Sequence, residues 1–335
     1  MTRVDPPPTC AGRQAAGPDP GAGWKRCDLH MHTSFSGWRS LRALEAQDCY
    51  VSPREAFDAA RRRGMDYVCF SDHDTIQGAL DFLGQHPEEE PRVIVAEEVE
   101  ARFPDSRDWV HLNVYEVDER LHADLVRLRG DCFELVAELH RRGLFFALNH
   151  PFQSFRSLPA ARHRLPDLFP RFPAIEVVNS TSPRSHRRVL ESLLASPGQG
   201  RAAWVGGSDA HTLPRIASVY TAAPGASRRE YLDSVREGVA VIGGEAGGLA
   251  TLMRDVYAIV GTYYARRHRS VWPPSLNRVR SLALAAALLP ATLVGVPALV
   301  TLLSALRQEW IARGFAADPA LRACAFTPVD AGGGG

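Results

Sequence analysis

The chain is poor in the features that would assign it to several common classes. It has six cysteines in 335 residues, none in a CxxC pair. Their spacing suggests no disulfide framework, so they read as reduced thiols in a cytosolic body. It has almost no net charge, at +1, so no global field recruits nucleic acid or acidic lipid. It lacks aromatics interleaved with basic stripes, and no stable nucleic-acid binding is expected. No apolar run near the N-terminus resembles a secretion signal. Residues 1–23 are instead rich in Pro, Gly and Ala and read as a disordered leader.

Histidine and carboxylate at the ends of apolar runs are plentiful. From about residue 24 to 245 short β-rich runs alternate with helical segments. The runs are "RCDLHMH", "MDYVCFSDHD", "RVIVAEEVE", "WVHLNVYEV", "LFFALNHP", "AIEVVNS" and "AAWVGGSDAH". Helical segments fall at 52–64, 123–143, 185–195 and 227–238. The first has Ser52 as N-cap, Pro53 at the first helical position and Gly64 as stop. Such alternation implies a parallel sheet with helices outside it. Seven strands suit a closed or nearly closed β/α barrel, with its chemistry at the C-terminal ends of the strands.

Six of the twelve histidines fall at that rim: His30, His32, His73, His111, His150 and His211. One HxH pair is weak evidence, since chance gives about 0.4 per chain of this composition. The ends of the runs also bring Asp28, Asp72, Asp74, Glu97, Glu98, Glu176 and Asp209. Asp74 could equally cap a following helix. Adjacent Glu97 and Glu98 point to opposite faces of a strand, so one of them reaches the rim interior. Many desolvated acids and imidazoles on one rim need compensation, and a metal cluster supplies it. The mix of imidazole and carboxylate without thiolate suits Zn, Mn or Fe.

"DLHMHT", "SDHDT", "EEVE", "HLNVYEV", "NHP", "IEVVN" and "GSDAHT", in this order, resemble the PHP (polymerase and histidinol phosphatase) metallophosphoesterases over about residues 26–245. The resemblance implies a distorted (β/α)7 TIM-like barrel, two or three divalent metal ions, and hydrolysis of a phosphomonoester or nucleotide-type phosphoester by a metal-activated water. It implies His30, His32 and Asp209 at a first metal, Glu98 as the bridge with Glu97 as runner-up, His111 and His150 at a second metal, and His73 and His211 at a third. Many members carry an aspartate after the HxH, where this chain has Gly37 and then Trp38. Asp48 is the candidate replacement ligand; otherwise the site is dinuclear. Asp28 and Glu176 are expected to orient ligand histidines. Arg184 and Arg215 are candidates to hold a small phosphorylated substrate. The rival readings are a metal-dependent amide or ester hydrolase and a membrane-tethered, non-catalytic metal-binding module.

After the barrel, residues 24–248, the character changes. Residues 249–280 read as an amphipathic helix and basic linker, 281–307 as a transmembrane or membrane-associated segment, and 308–335 as a short tail. The uncharged stretch 282–306 would span about 37 Å as one helix, against about 30 Å of bilayer core. A re-entrant or interfacial helix, or core helices broken at Pro290 and Pro297, are the alternatives. More arginines precede the stretch than follow it, which would put the barrel on the cytoplasmic face. A soluble cytoplasmic protein is the other expectation.

Overall fold

The computed structural model describes residues 23–36, 44, 46–194, 202–268 and 276–318. Gly37 and Trp38, like residues 1–22, lie outside them. The seven runs form β1 (Trp24–Asp28), β2 (Tyr67–Phe70), β3 (Val93–Arg102), β4 (Trp109–Tyr115), β5 (Phe146–Leu148), β6 (Ala174–Asn179) and β7 (Ala203–Gly207). Two further strands are β8 (Val219–Pro224) and β9 (Val241–Gly244). Among the described residues one nine-stranded sheet runs in the order β7-β6-β5-β4-β3-β2-β1-β8-β9. The architecture is a mixed α/β, nearly closed barrel.

Two expectations are corrected here. The strand count is nine rather than seven, and the sheet is not wholly parallel. β4 is antiparallel to both β3 and β5, and β8 is antiparallel to both β1 and β9. The reversal of β4 follows from its short link to β3. A tight turn after Arg102 leaves no room for the crossover that parallel neighbours need. The start of β4 therefore lies at the same rim as the ends of β1–β3, which brings His111 there.

Closure is made at the rim. Past Asp28 the chain leaves β8 and meets the end of β7: Asp209 N donates to the His30 carbonyl and His32 N to the Ala210 carbonyl, at 2.6 and 3.0 Å. Lower down, the Thr221 hydroxyl accepts from Gly206 N and donates to Gly206 O, both at 2.9 Å, joining β7 to β8. These approaches need glycine. A Cβ on Gly207 would lie 2.3 Å from the Cβ of His30.

The helices are α1 (Pro53–Arg62), α2 (Gln77–Gln85), α3 (Glu119–Leu128), α4 (Cys132–Arg141), α5 (Leu158–Leu168), α6 (Arg184–Leu194), α7 (Arg228–Arg236), α8 (Leu249–His268), α9 (Leu276–Leu293) and α10 (Val296–Ala316). Ser52 and Glu55 form the capping box of α1. The segment 123–143 is two helices, because the Asp131 carboxylate caps a new start by accepting from Phe133 N and Glu134 N. Asp74 caps nothing: α2 begins after Ile76, without a side-chain cap. Cys27, Cys69, Ala96, Tyr115, Ala147 and Val205 pack together from six strands, and Tyr231 of α7 joins them.

The apolar run is not one straight helix. It breaks between α9 and α10, which are bent by 68°, and no single described helix is long and apolar enough to cross a membrane. The break has a local cause: Gly295 takes φ +96°, and Pro297 sits in the first turn of α10. α10 continues to Ala316, with Ile311, Ala312 and Phe315 fully buried on the barrel. Residues 319–335, the rest of the expected short tail, lie outside the described residues.

Candidate metal centre

Glu98 sits at the middle of the rim, fully buried. Its two oxygens face two groups of histidines. Oε2 lies 3.3 Å from His30 Nε2, 3.3 Å from His32 Nε2 and 2.9 Å from His73 Nδ1. Oε1 lies 3.2 Å from His111 Nδ1 and 3.0 Å from His150 Nε2, and accepts from Asn149 Nδ2 at 2.9 Å. Glu97 points to the other face, where it pairs with His122 at 2.7 Å. The alternation of a strand separates the two carboxylates.

Four donor atoms form a compact cage. His30 Nε2 and His32 Nε2 are 3.2 Å apart, and Asp209 Oδ1 lies 3.6 and 3.2 Å from them. Glu98 Oε2 supplies the fourth. Ligands held at about 2.1 Å around a tetrahedral ion are about 3.4 Å apart, so the cage has the dimensions of an ion site. The tautomers agree. His30 Nδ1 lies 2.9 Å from Glu176 Oε1, and His32 Nδ1 lies 3.1 Å from the Ser36 hydroxyl. With those nitrogens engaged, both Nε2 lone pairs face inward at a separation that repels unless a cation lies between them. Buried Glu98 Oε2 has no hydrogen-bond partner. The donor set fits a divalent metal.

A second group gathers around His73 and His211. Their Nε2 atoms lie 3.6 and 3.8 Å from Asp48 Oδ2, and His32, His73 and His211 place donors within 4.8 Å of one another. Asp48 Oδ1 is buried without a partner. The loop after β1 thus brings Asp48 to these histidines. On the other side His73, Glu98 and His111 form a third group, as do His30, His150 and Glu176.

Without an ion the cluster is strongly coupled. Burial alone would raise Glu98, but His30, His111 and His73 hold it well below the usual carboxylate range. Burial opposes protonation of His30, and Glu98, Glu176 and Asp209 overcome it, so its pKa lies well above normal. Burial, with His211 and His73 nearby, drives His32 well below. Neighbouring imidazoles are pushed in opposite directions, as expected where one cation is spread over a shared site. Backbone strain coincides with the ligands: His150 and Asp209 take φ +27° and +51°.

Asp28 and Arg184 lie away from the contacts expected of them, and Arg215 reaches the cavity already paired. Asp28 reaches no histidine ring. Its carboxylate accepts from Ser208 N, Ala217 N and His30 N, and from the Ser208 hydroxyl, because the rim closure brings those donors over it. Arg184, at the start of α6, is exposed and points away, toward the carbonyl of Ala246 and to Glu245 at 3.6 Å. Arg215 does line the cavity but is buried and paired with Asp255 of α8 at 2.7–2.8 Å. Glu176 touches the ring of His30 and accepts from His150 N.

Sequence reading missed Asn149, Asn179, Thr181 and Ser36. Asn179 Nδ2 donates to both Glu176 and Asp209, and the Thr181 hydroxyl donates to Asp209 at 2.8 Å. The Asn that precedes the histidine in "LNHP" was the available signal. A cavity of about 400 Å³ opens over the cluster. One wall carries His73, His111 and His211; the opposite wall is α8, with Leu252, Val256 and Ile259.

Barrel and cluster together define a metal-binding β/α barrel. Residues 28–136 match the family model of the PHP domain. That stretch contains His30, His32, His73, Glu98 and His111. An uncharacterized protein of Methanocaldococcus jannaschii, MJ1587, is 30% identical over 74 residues, 22% of this chain and 43% of that protein. The chain therefore matches less than half of that relative's length. Two solved structures are similar. One is a two-domain protein of Bacteroides vulgatus containing a predicted PHP-like metal-dependent phosphoesterase: 16% identity, 71% of this chain and 70% of that one, TM-score 0.48. The other is PsfC of Pseudomonas syringae: 19% identity, 73% and 99%, TM-score 0.45.

Proposed function

We propose that the chain is a metal-dependent phosphoesterase acting on a small phosphomonoester. The cage of His30, His32, Glu98 and Asp209 carries this reading, with the PHP match over residues 28–136 beside it. Two or three divalent ions, of the Zn, Mn or Fe kind, would be held by that cage, by His111 and His150 on the far oxygen of Glu98, and by His73, His211 and Asp48. Bound there, such ions act as Lewis acids toward phosphoryl oxygens and lower the pKa of water. The chain's own residues orient and shield. Glu176 fixes the ring of His30, Asn149 holds Glu98, and Asn179 and Thr181 hold Asp209. The apolar wall of α8 and Trp109, whose ring lies 4.5 Å from that of His111, favour a substrate with an apolar portion.

A second reading, amide or ester hydrolysis, is favoured by one observation. Arg215 meets the cavity already paired with Asp255, so its charge is compensated before any phosphate arrives. One assay separates the readings. The full chain, loaded with Mn or Zn, is offered an aryl phosphomonoester, an aryl phosphodiester, an aryl ester and an anilide. Turnover of a phosphoester that drops at least about 100-fold in His30→Ala supports the proposal. Turnover of the ester or anilide alone replaces it with the second reading. Bound metal without turnover of any of them assigns the barrel to a non-catalytic role.

A further inference from the structure

We propose that the elbow between α9 and α10 inserts into one leaflet of an anionic lipid bilayer and holds the barrel at the membrane surface without crossing it. This inference is independent of the reaction the barrel performs.

Twelve of the eighteen exposed large apolar side chains among the described residues fall between Val279 and Trp310. Leu293 and Val294, at the apex, are 76% and 79% exposed. Over residues 286–290 the exposure takes in the whole circumference of α9, while on α10 Val296, Leu299, Val300, Leu303 and Leu306 form one exposed stripe. A docked protein covers one stripe of a helix. A helix apolar all round needs an apolar solvent. A second copy of this chain would leave most of that circumference wet.

Charge placement also fits lipid. Residues 281–306 carry no charge, while Arg278 and Arg280 precede them and Arg307 and Arg313 follow. Arg280 at the base of α9 and Arg307 at the base of α10 flank the uncharged segment at the level where phosphate headgroups would lie, and Arg313, further along α10, is paired with Glu309 at 2.6 Å. Exposed Trp310 stands between the two arginines of α10, at the depth favoured by interfacial aromatics. The chain's net charge of +1 gives no long-range attraction, so the preference for anionic lipid is local.

The bent shape fits one leaflet. The uncharged part of each leg is about 16–20 Å long, and a bend of 68° places the apex about 10 Å beyond the line joining the two bases. One leaflet of hydrocarbon is about 15 Å thick. One side of α9 is anchored. The Ser281 hydroxyl donates to Leu44 O at 2.9 Å, and the Tyr264 hydroxyl of α8 donates to Ala285 O at 3.2 Å and lies 3.4 Å from the Thr292 hydroxyl. Ile311, Ala312 and Phe315 bury the far end of α10 against the barrel. The elbow therefore projects as a fixed wedge.

The test is flotation of the full chain with phosphatidylcholine vesicles, with and without phosphatidylglycerol, and with Trp emission followed in parallel. Flotation that rises with the anionic fraction, together with a blue shift of Trp emission, is expected. Leu293→Glu with Val294→Glu should lower the bound fraction at least about tenfold, because both side chains would enter hydrocarbon. Arg280→Glu should remove the preference for anionic vesicles while the circular dichroism spectrum is unchanged. No flotation with either vesicle would overturn the proposal. So would a lipid-free dimer that Leu293→Glu dissociates while vesicles bind nothing, since that outcome gives the surface to a second copy.

Discussion

Glu98 and Glu97 are adjacent, equally acidic and both buried, yet only Glu98 meets the histidines. A strand's twofold alternation made it legible that only one of them could reach the rim interior. Glu98→Gln removes the charge that compensates the imidazoles and should abolish metal binding; Glu97→Gln, on the outer face with His122, should leave metal content unchanged. Elemental analysis of the two purified variants checks the pair. Glu176→Gln keeps the shape but weakens the hold on His30 Nδ1, and a 10–100-fold loss of metal affinity is expected by competition with a chelator. The histidines could be read from the sequence because all but His111, which opens one, close an apolar run. Apart from Asn149, signalled by "LNHP", the helpers Asn179, Thr181 and Ser36 could not, because short polar residues at strand ends look the same whether they turn the chain or hold a ligand. The pairings of Asp28 and Arg215 could not be read for a related reason. Their partners, Ser208, Ala217 and Asp255, are at least forty residues away, and pattern alone does not supply them.

At the scale of elements, β1–β7 were visible as runs, but direction and closure were not. β4 reads like its neighbours and runs backward, and β8 and β9 are short and rich in Ala and Gly. Closure depends on Gly207 lying against His30. Gly207→Ala should push β7 from β1, lowering stability by about 1–3 kcal/mol in urea titration and reducing metal content as the cage opens. The contact of α6 with α10 gives a pH signature. His186, buried beside Phe152, is held down to about 4 by burial, only partly offset by the Gln308 backbone and Glu309. The unfolded chain takes up this proton below about pH 6.5, whereas the folded chain does so only near pH 4. Stability is therefore complete above about pH 6.5 and falls by up to about 3 kcal/mol as pH drops to about 4. His186→Leu should flatten that part of the profile relative to the wild type in urea titrations at stepped pH.

For the whole molecule, the helices beyond the barrel complete it. α8 walls the cavity, and α10 returns to bury Phe315 among Phe152, Phe169 and Leu158. Phe315→Ala should cost about 3–5 kcal/mol by thermal or chemical denaturation, a loss foreign to a loose tail. The uncharged run 282–306 was legible as apolar but not as bent. Gly295 at positive φ followed by Pro297 decides the bend, and run length alone does not reveal it. The account rests most heavily on the rim cluster being a metal centre. The direct measurement is metal per chain in the full protein after dialysis, by elemental analysis, beside His30→Ala and His150→Ala. Two or three divalent ions per wild-type chain, with His30→Ala losing the cage ion and His150→Ala losing another, is the predicted result. A wild-type chain that folds and retains no divalent metal when supplied with Zn, Mn or Fe would contradict the account, and would make the six histidines a hydrogen-bonded part of the core.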